Sequence, residues 1–125
     1  MRLAIIGTRN FPGSPETVAT AIAQHSLAPT AVLCGEARGP DTWGRLWAEQ
    51  QGIPVISYPA DWERYGRSAG MIRNREMIGA SDAVLALWDG KSKGTGQAIA
   101  LAKRRGIPVY LVGGVMAEQL SLLGI

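Results

Sequence analysis

Apolar residues in this chain gather into short continuous runs, and between the runs apolar positions recur at helical spacing. Leu3–Ile6, Ala31–Cys34, Pro54–Tyr58, Ala83–Trp88 and Pro108–Val112 are strand-length and do not alternate with polar residues. That pattern marks parallel strands covered on both faces by helices. Helices are predicted over Glu16–Ser26, opened by Ser14-Pro15, and over Asp41–Gln51, closed by Gly52. Two more run from a Ser68 cap to about Ile78 and from a Thr95 cap to Gly106. A short last helix covers Met116–Leu123, and Pro59–Arg67 reads as a long loop.

Repeated alternation of strand and helix predicts a doubly wound, Rossmann-like three-layer α/β/α domain spanning residues 1–125. Right-handed crossovers favour a five-stranded parallel sheet in the order 3-2-1-4-5. Winding then reverses between the first and fourth strands, and ligands of such sheets bind there, outside the carboxyl ends of the strands.

The loops at that switch point hold the unusual residues. The first strand runs into Gly7-Thr8-Arg9, a tight turn followed by a hydroxyl and a guanidinium suited to phosphate. The second runs into Gly35-Glu36-Ala37-Arg38-Gly39-Pro40-Asp41. Here Asp41 either caps the following helix or accepts from a ribose hydroxyl. The fourth runs into Asp89-Gly90-Lys91-Ser92-Lys93-Gly94-Thr95, a glycine-rich entry to a helix that fits phosphate cradling. It lacks the Walker A spacing, and no Gly-x-Gly-x-x-Gly follows the first strand, which argues against NAD held in the dehydrogenase manner. In the long loop, Trp62 or Tyr65 either stacks on a base or packs over the sheet edge. Arg73 and Glu76, three apart on a helix, either pair on its surface or belong to the site.

Thirteen Lys and Arg against ten Asp and Glu give a net charge of +3, which suits an anionic ligand without naming one. The basic run Lys103-Arg104-Arg105 falls where cations complement a helix carboxyl end. One cysteine and one histidine make a zinc site improbable, and neither a metal nor a cofactor is expected. Cys34 reads as a small core residue and His25 as structural. An unpaired cysteine, no leader-like start and no apolar stretch near the roughly 20 residues of a membrane span point to a cytoplasmic protein with no membrane partner.

Taken together, Gly7-Thr8-Arg9, Ala37-Arg38-Gly39-Pro40-Asp41, Pro59-Ala60-Asp61-Trp62, Arg73-Asn74-Arg75-Glu76, Trp88-Asp89-Gly90 and Gly94-Thr95 make the chain resemble the YspA-like branch of the SLOG superfamily. That Rossmann-like group also contains DprA and the "lonely guy" phosphoribohydrolases. The resemblance implies a nucleotide-derived small molecule as partner and a homodimer or larger homo-oligomer. Read onto this chain, Gly7, Thr8, Arg9, Gly35, Arg38, Gly39, Gly90, Ser92, Gly94 and Thr95 hold phosphate and ribose. Asp41 or Asp89 takes ribose hydroxyls, and Arg73 and Asn74 close the far side.

Binding or sensing of such a ligand is the first expectation, and an N-glycosidase is the second. The phosphoribohydrolases carry a glutamate where this chain has Ala98, so catalysis would fall to Arg73 with Glu76 or Glu36. Glu36 also replaces the second glycine usual after the second strand. Single-stranded DNA binding, suggested by the DprA-like Ala-Arg-Gly stretch, comes third, because the charge excess is small for it.

Overall fold

A computed structural model describes residues 1–113. Strands alternate with helices, with two helices and a 3-10 turn between the third and fourth strands. The elements are β1 (Arg2–Gly7), α1 (Pro15–Gln24), β2 (Ala31–Cys34), α2 (Pro40–Gln50), β3 (Val55–Ser57), α3 (Trp62–Tyr65), a 3-10 turn (Gly66–Ser68), α4 (Ala69–Gly79), β4 (Ala83–Leu87), α5 (Lys93–Arg104) and β5 (Val109–Val112). The five strands form one parallel sheet in the order β3-β2-β1-β4-β5, so the Rossmann-like topology expected from the apolar runs is the one adopted.

The pleat of the central strands sorts their side chains into two cores. Leu3 and Ile5 of β1, with Leu85 and Leu87 of β4, meet Val18, Ala21 and Ile22 of α1 and Ala48 of α2 on one face. Ala4 and Ile6, with Val84 and Ala86, meet Met77 and Ile78 of α4 and Ala98, Ile99 and Ala102 of α5 on the other. Full burial of each leucine or isoleucine contributes about 1.5–3 kcal/mol, and apart from the exposed Arg2 at the start of β1 these two strands carry no charged or hydrogen-bonding side chain. The edges differ. Ile56 and Ser57 of β3 are exposed, because an edge strand has one neighbour and incomplete cover.

Other departures are local. Within Pro59–Arg67, expected as loop, the chain is helical from Trp62 onward: the Asp61 carboxylate accepts the Arg64 N–H (3.1 Å) and opens α3. Ser68 stands before α4 but makes no side-chain cap, since the 3-10 turn already leads the chain in. Thr95 is not the cap of α5. Ser92 holds that position, and Thr95 is buried in the first turn. The Trp88 indole explains the earlier start, donating to the Ser92 carbonyl (3.0 Å) and lying under Gly96. The helix expected over Met116–Leu123 lies outside the described residues. No helix among those described is long and apolar enough to cross a membrane.

Candidate functional site

Neighbouring strands β1 and β4 send their chains in opposite directions, and their loops are clamped together. The Thr8 hydroxyl donates to Asp89 Oδ1 (3.1 Å) and accepts the Asp89 N–H (3.2 Å). The same Oδ1 accepts the N–H groups of Lys91 and Ser92, each at 2.8 Å. These backbone donors hold the exposed Asp89 carboxyl below the ordinary carboxylate range, Ser92 contributing most. The loop after β2 is pressed against this clamp. Gly39 has a φ of +76°, and a side-chain carbon there would meet the Arg9 carbonyl oxygen at 2.5 Å. Only glycine meets both demands without strain.

Beyond the clamp opens a cleft of about 490 Å3, within the range of small-molecule sites. Gly7, Thr8, Arg9 and Asn10 enter it from the β1 loop, and Ala37 and Asp41 from the β2–α2 junction. Trp62 and Arg67 come from the α3 segment, Met71, Arg73 and Asn74 from α4, and Ser92, Gly94, Thr95 and Gln97 from the start of α5. Three guanidinium groups, those of Arg9, Arg67 and Arg73, therefore share the cleft with one carboxyl group.

That carboxyl belongs to Asp41, which is 7% exposed. It does not cap α2, whose N-cap is Gly39. As the second helical residue it turns back, and Oδ2 accepts the Ala37 N–H (3.2 Å). Burial pushes its pKa from 3.8 to about 6, against the pull of the Ala37 N–H and of the Arg73 and Arg9 charges. Arg73 approaches from α4. Its guanidinium donates to the Tyr58 carbonyl (3.3 Å) and to Asn74 Oδ1 (2.7 Å). A side-chain carbon on Gly35 would collide with both Arg73 Nη1 and Asp41 Oδ2, so the bare backbone at 35 is what lets the two approach each other. Cys34, just before it, is fully buried, and burial pushes its thiol up to about 11, which leaves it inert as a nucleophile.

The α5 wall offers donors of another kind. The first i→i−4 bond of the helix runs from the Gly96 N–H to the Ser92 carbonyl (3.0 Å), so the amides of residues 93–95 have no partner within the helix. Ser92 and Thr95 add hydroxyl groups beside them, 3.4 Å apart. Amides, hydroxyls and the helix dipole together favour an anion at this wall.

The family described as YspA, cpYpsA-related SLOG matches residues 1–65. The chain belongs to this family. The Gene 61 protein of Mycobacterium phage D29 is 41% identical to it over 88 residues, covering 66% of this chain and 70% of that protein.

Of the positions that the SLOG resemblance singled out, the cleft brings together Gly7, Thr8, Arg9, Asp41, Arg73, Asn74, Ser92, Gly94 and Thr95. Gly35, Arg38, Gly39, Asp89 and Gly90 do not line it, although Gly35, Gly39 and Asp89 act on its shape as described. Glu36 and Glu76 are exposed and do not line the cleft. Nor does Arg73 pair with Glu76. Among the described residues the one ion pair is Arg45–Glu49 (4.0 Å), because Arg73 turns inward to Tyr58 and Asn74. His25 sits at the far end of α1 with its ring 5.1 Å from that of Tyr110. Lys103 and Arg104 occupy the last turn of α5, and the Arg105 guanidinium donates to the Arg75 carbonyl (3.4 Å). The sequence reading missed Asn10, Arg67 and Gln97. An arginine closing a Trp-Glu-Arg-Tyr-Gly-Arg segment was the available signal for Arg67, had that segment been read as helical.

Proposed function

We propose that the cleft binds a nucleotide or nucleotide-derived ligand, and that the protein acts as a binding or sensing module. The supporting observation is the meeting of three arginines, one buried carboxyl and the open start of a twelve-residue helix in a single cleft at the sheet's switch point. Phosphate suits the amides of Gly94 and Thr95, the Ser92 hydroxyl and the fork of Arg9. Asp41 is the acceptor for ribose hydroxyls, because it lines the cleft and Asp89 does not. Arg73 and Asn74 close the side opposite the β1 loop. A thermal-shift panel of purine and pyrimidine 5′-monophosphates, ADP-ribose, NAD and a short oligonucleotide tests this. A ligand at 100 times its Kd adds about 2.7 kcal/mol, or roughly 10 °C for a domain of this size. A shift with the oligonucleotide and with none of the small molecules would replace this reading with DNA binding.

One observation favours a hydrolytic variant of the same reading. Asp41 is a buried carboxyl with a pKa of about 6, poised to hold a proton near neutral pH. In N-glycoside hydrolysis the bond from C1′ to the base nitrogen breaks, and the Asp41 proton goes to that nitrogen. Water then adds its oxygen to C1′ and returns a proton to Asp41, leaving ribose 5-phosphate and the free base. Glu36 and Glu76, outside the cleft lining, are not needed. Base release that falls at least tenfold in Asp41→Asn would support the variant, a tenfold loss corresponding to about 1.4 kcal/mol of transition-state stabilisation. Tight binding with no base released from any monophosphate would remove it.

A further inference from the structure

We infer that the indole of Trp62 is the platform on which the base of the ligand stacks. This rests on the nucleotide reading and adds to it the place of the base and the class of ligand that needs it, a purine or pyrimidine nucleotide and not a sugar phosphate.

The four tryptophans of the chain have different employments. Trp43 and Trp47 pack against the core beneath α1 and α2. Trp88 donates its indole N–H to Ser92 and supports the start of α5. Trp62 belongs to neither core cluster, is 55% exposed, and lines the cleft. An indole left this open offers apolar area to a partner, since large aromatic side chains are among the strongest contributors when buried.

Its position is nevertheless held. The Asp61 carboxylate opens α3 and the Gly66 N–H bonds back to the Trp62 carbonyl, so the backbone that carries the ring is tied at both ends. The far edge of the ring lies over Gly70, where an added carbon would stand 3.6 Å from Cη2 and no side chain intervenes. Met71 is 50% exposed in the same lining, and its thioether is suited to an aromatic face. The phosphate donors come from α5 and the β1 loop, whereas Trp62 and Met71 come from the α3–α4 corner. A ligand with an anionic end and a flat aromatic end fits both walls. Tyr65, the other aromatic residue of this segment, does not line the cleft, and its ring sits under the Arg64 guanidinium at 5.1 Å.

The test is a calorimetric titration of adenosine 5′-monophosphate and of ribose 5-phosphate into the full chain and its Trp62→Ala and Trp62→Phe variants. Base–aromatic stacking predicts that Trp62→Ala weakens the nucleotide about 5- to 100-fold and ribose 5-phosphate less than about 2-fold, with Trp62→Phe recovering most of the loss. Nucleotide binding should also quench the indole emission of the parent and not that of Trp62→Phe. Equal losses for both ligands, or none for the nucleotide, would overturn the assignment and leave the nucleotide reading standing. Failure of the unaltered chain to bind either ligand would overturn both.

Discussion

Asp41 and Asp89 each follow the carboxyl end of an inner strand, Asp89 in the loop after β4 and Asp41 in the first turn of α2, and their environments oppose one another. Asp89 is exposed and its Oδ1 is saturated by a hydroxyl and two amides, so its charge is favoured. Asp41 is buried, accepts one backbone N–H, and has its charge disfavoured to a pKa of about 6. The first is a scaffold group that ties the β1 and β4 loops. The second is a carboxyl kept in a costly place, and perturbed groups of that kind gather at functional sites. Two acidic residues in similar glycine-rich contexts thus differ in which charge state is favoured, according to burial and to the groups that donate to them.

The largest effect on binding should come from removing the cleft cation beside Asp41. Arg73→Ala takes away one of the three arginines that line the cleft and should weaken a 5′-monophosphate about 10- to 100-fold, read by calorimetry. It should also push the Asp41 carboxyl further up, because the Arg73 charge is one of the influences lowering it. Asp41→Asn comes next and separates stability from binding. A pKa raised from 3.8 to about 6 means that Asp41 favours the folded state when protonated. That contribution is fully present below about pH 4 and is lost as pH rises through about 6. Asp41→Asn should therefore be more stable than the parent by about 2–3 kcal/mol at pH 7.5 and little different at pH 4, measured by urea unfolding, while binding the ligand less well.

Gly39→Ala tests the wall between the two aspartates. With a φ of +76° and the Arg9 carbonyl in the way, it should cost about 1–3 kcal/mol and loosen the cleft without removing any ligand contact. Asp89→Asn should have the smallest effect and the opposite pH dependence. Because Asp89 is held low, its stabilising contribution is present above the ordinary carboxylate range and fades as pH falls, so the variant should differ from the parent near neutral pH and converge with it in acid. The same sign of pH dependence in both aspartate variants would contradict the opposed environments of the two carboxyl groups.

Much of this was legible in the residues. The continuous runs of β1, β2 and β4 announced buried parallel strands, and β2 starts and ends where its run does. The topology followed from alternation and handedness. The entry to α5 was not legible, because Gly94 and Gly96 disfavour a helix start and the compensation comes from Trp88, a tertiary contact. The α3 turn was hidden by its length, although Asp61 and the Arg64 amide three residues on formed a readable cap. Within the site, the sequence identified the loops but not which carboxylate faces inward. Glu36 and Asp41 are five residues apart, one exposed and the other buried, with the positive-φ turn at Gly39 between them.

The proposal that this cleft recognises a nucleotide through its phosphate stands or falls on one titration, that of adenosine and adenosine 5′-monophosphate into the full chain and into Arg9→Ala. The monophosphate should bind the parent at least tenfold more tightly than the nucleoside, an advantage of about 1.4 kcal/mol, and Arg9→Ala should erase most of that advantage. Equal affinity for the two, or a phosphate preference untouched in Arg9→Ala, would contradict the proposal.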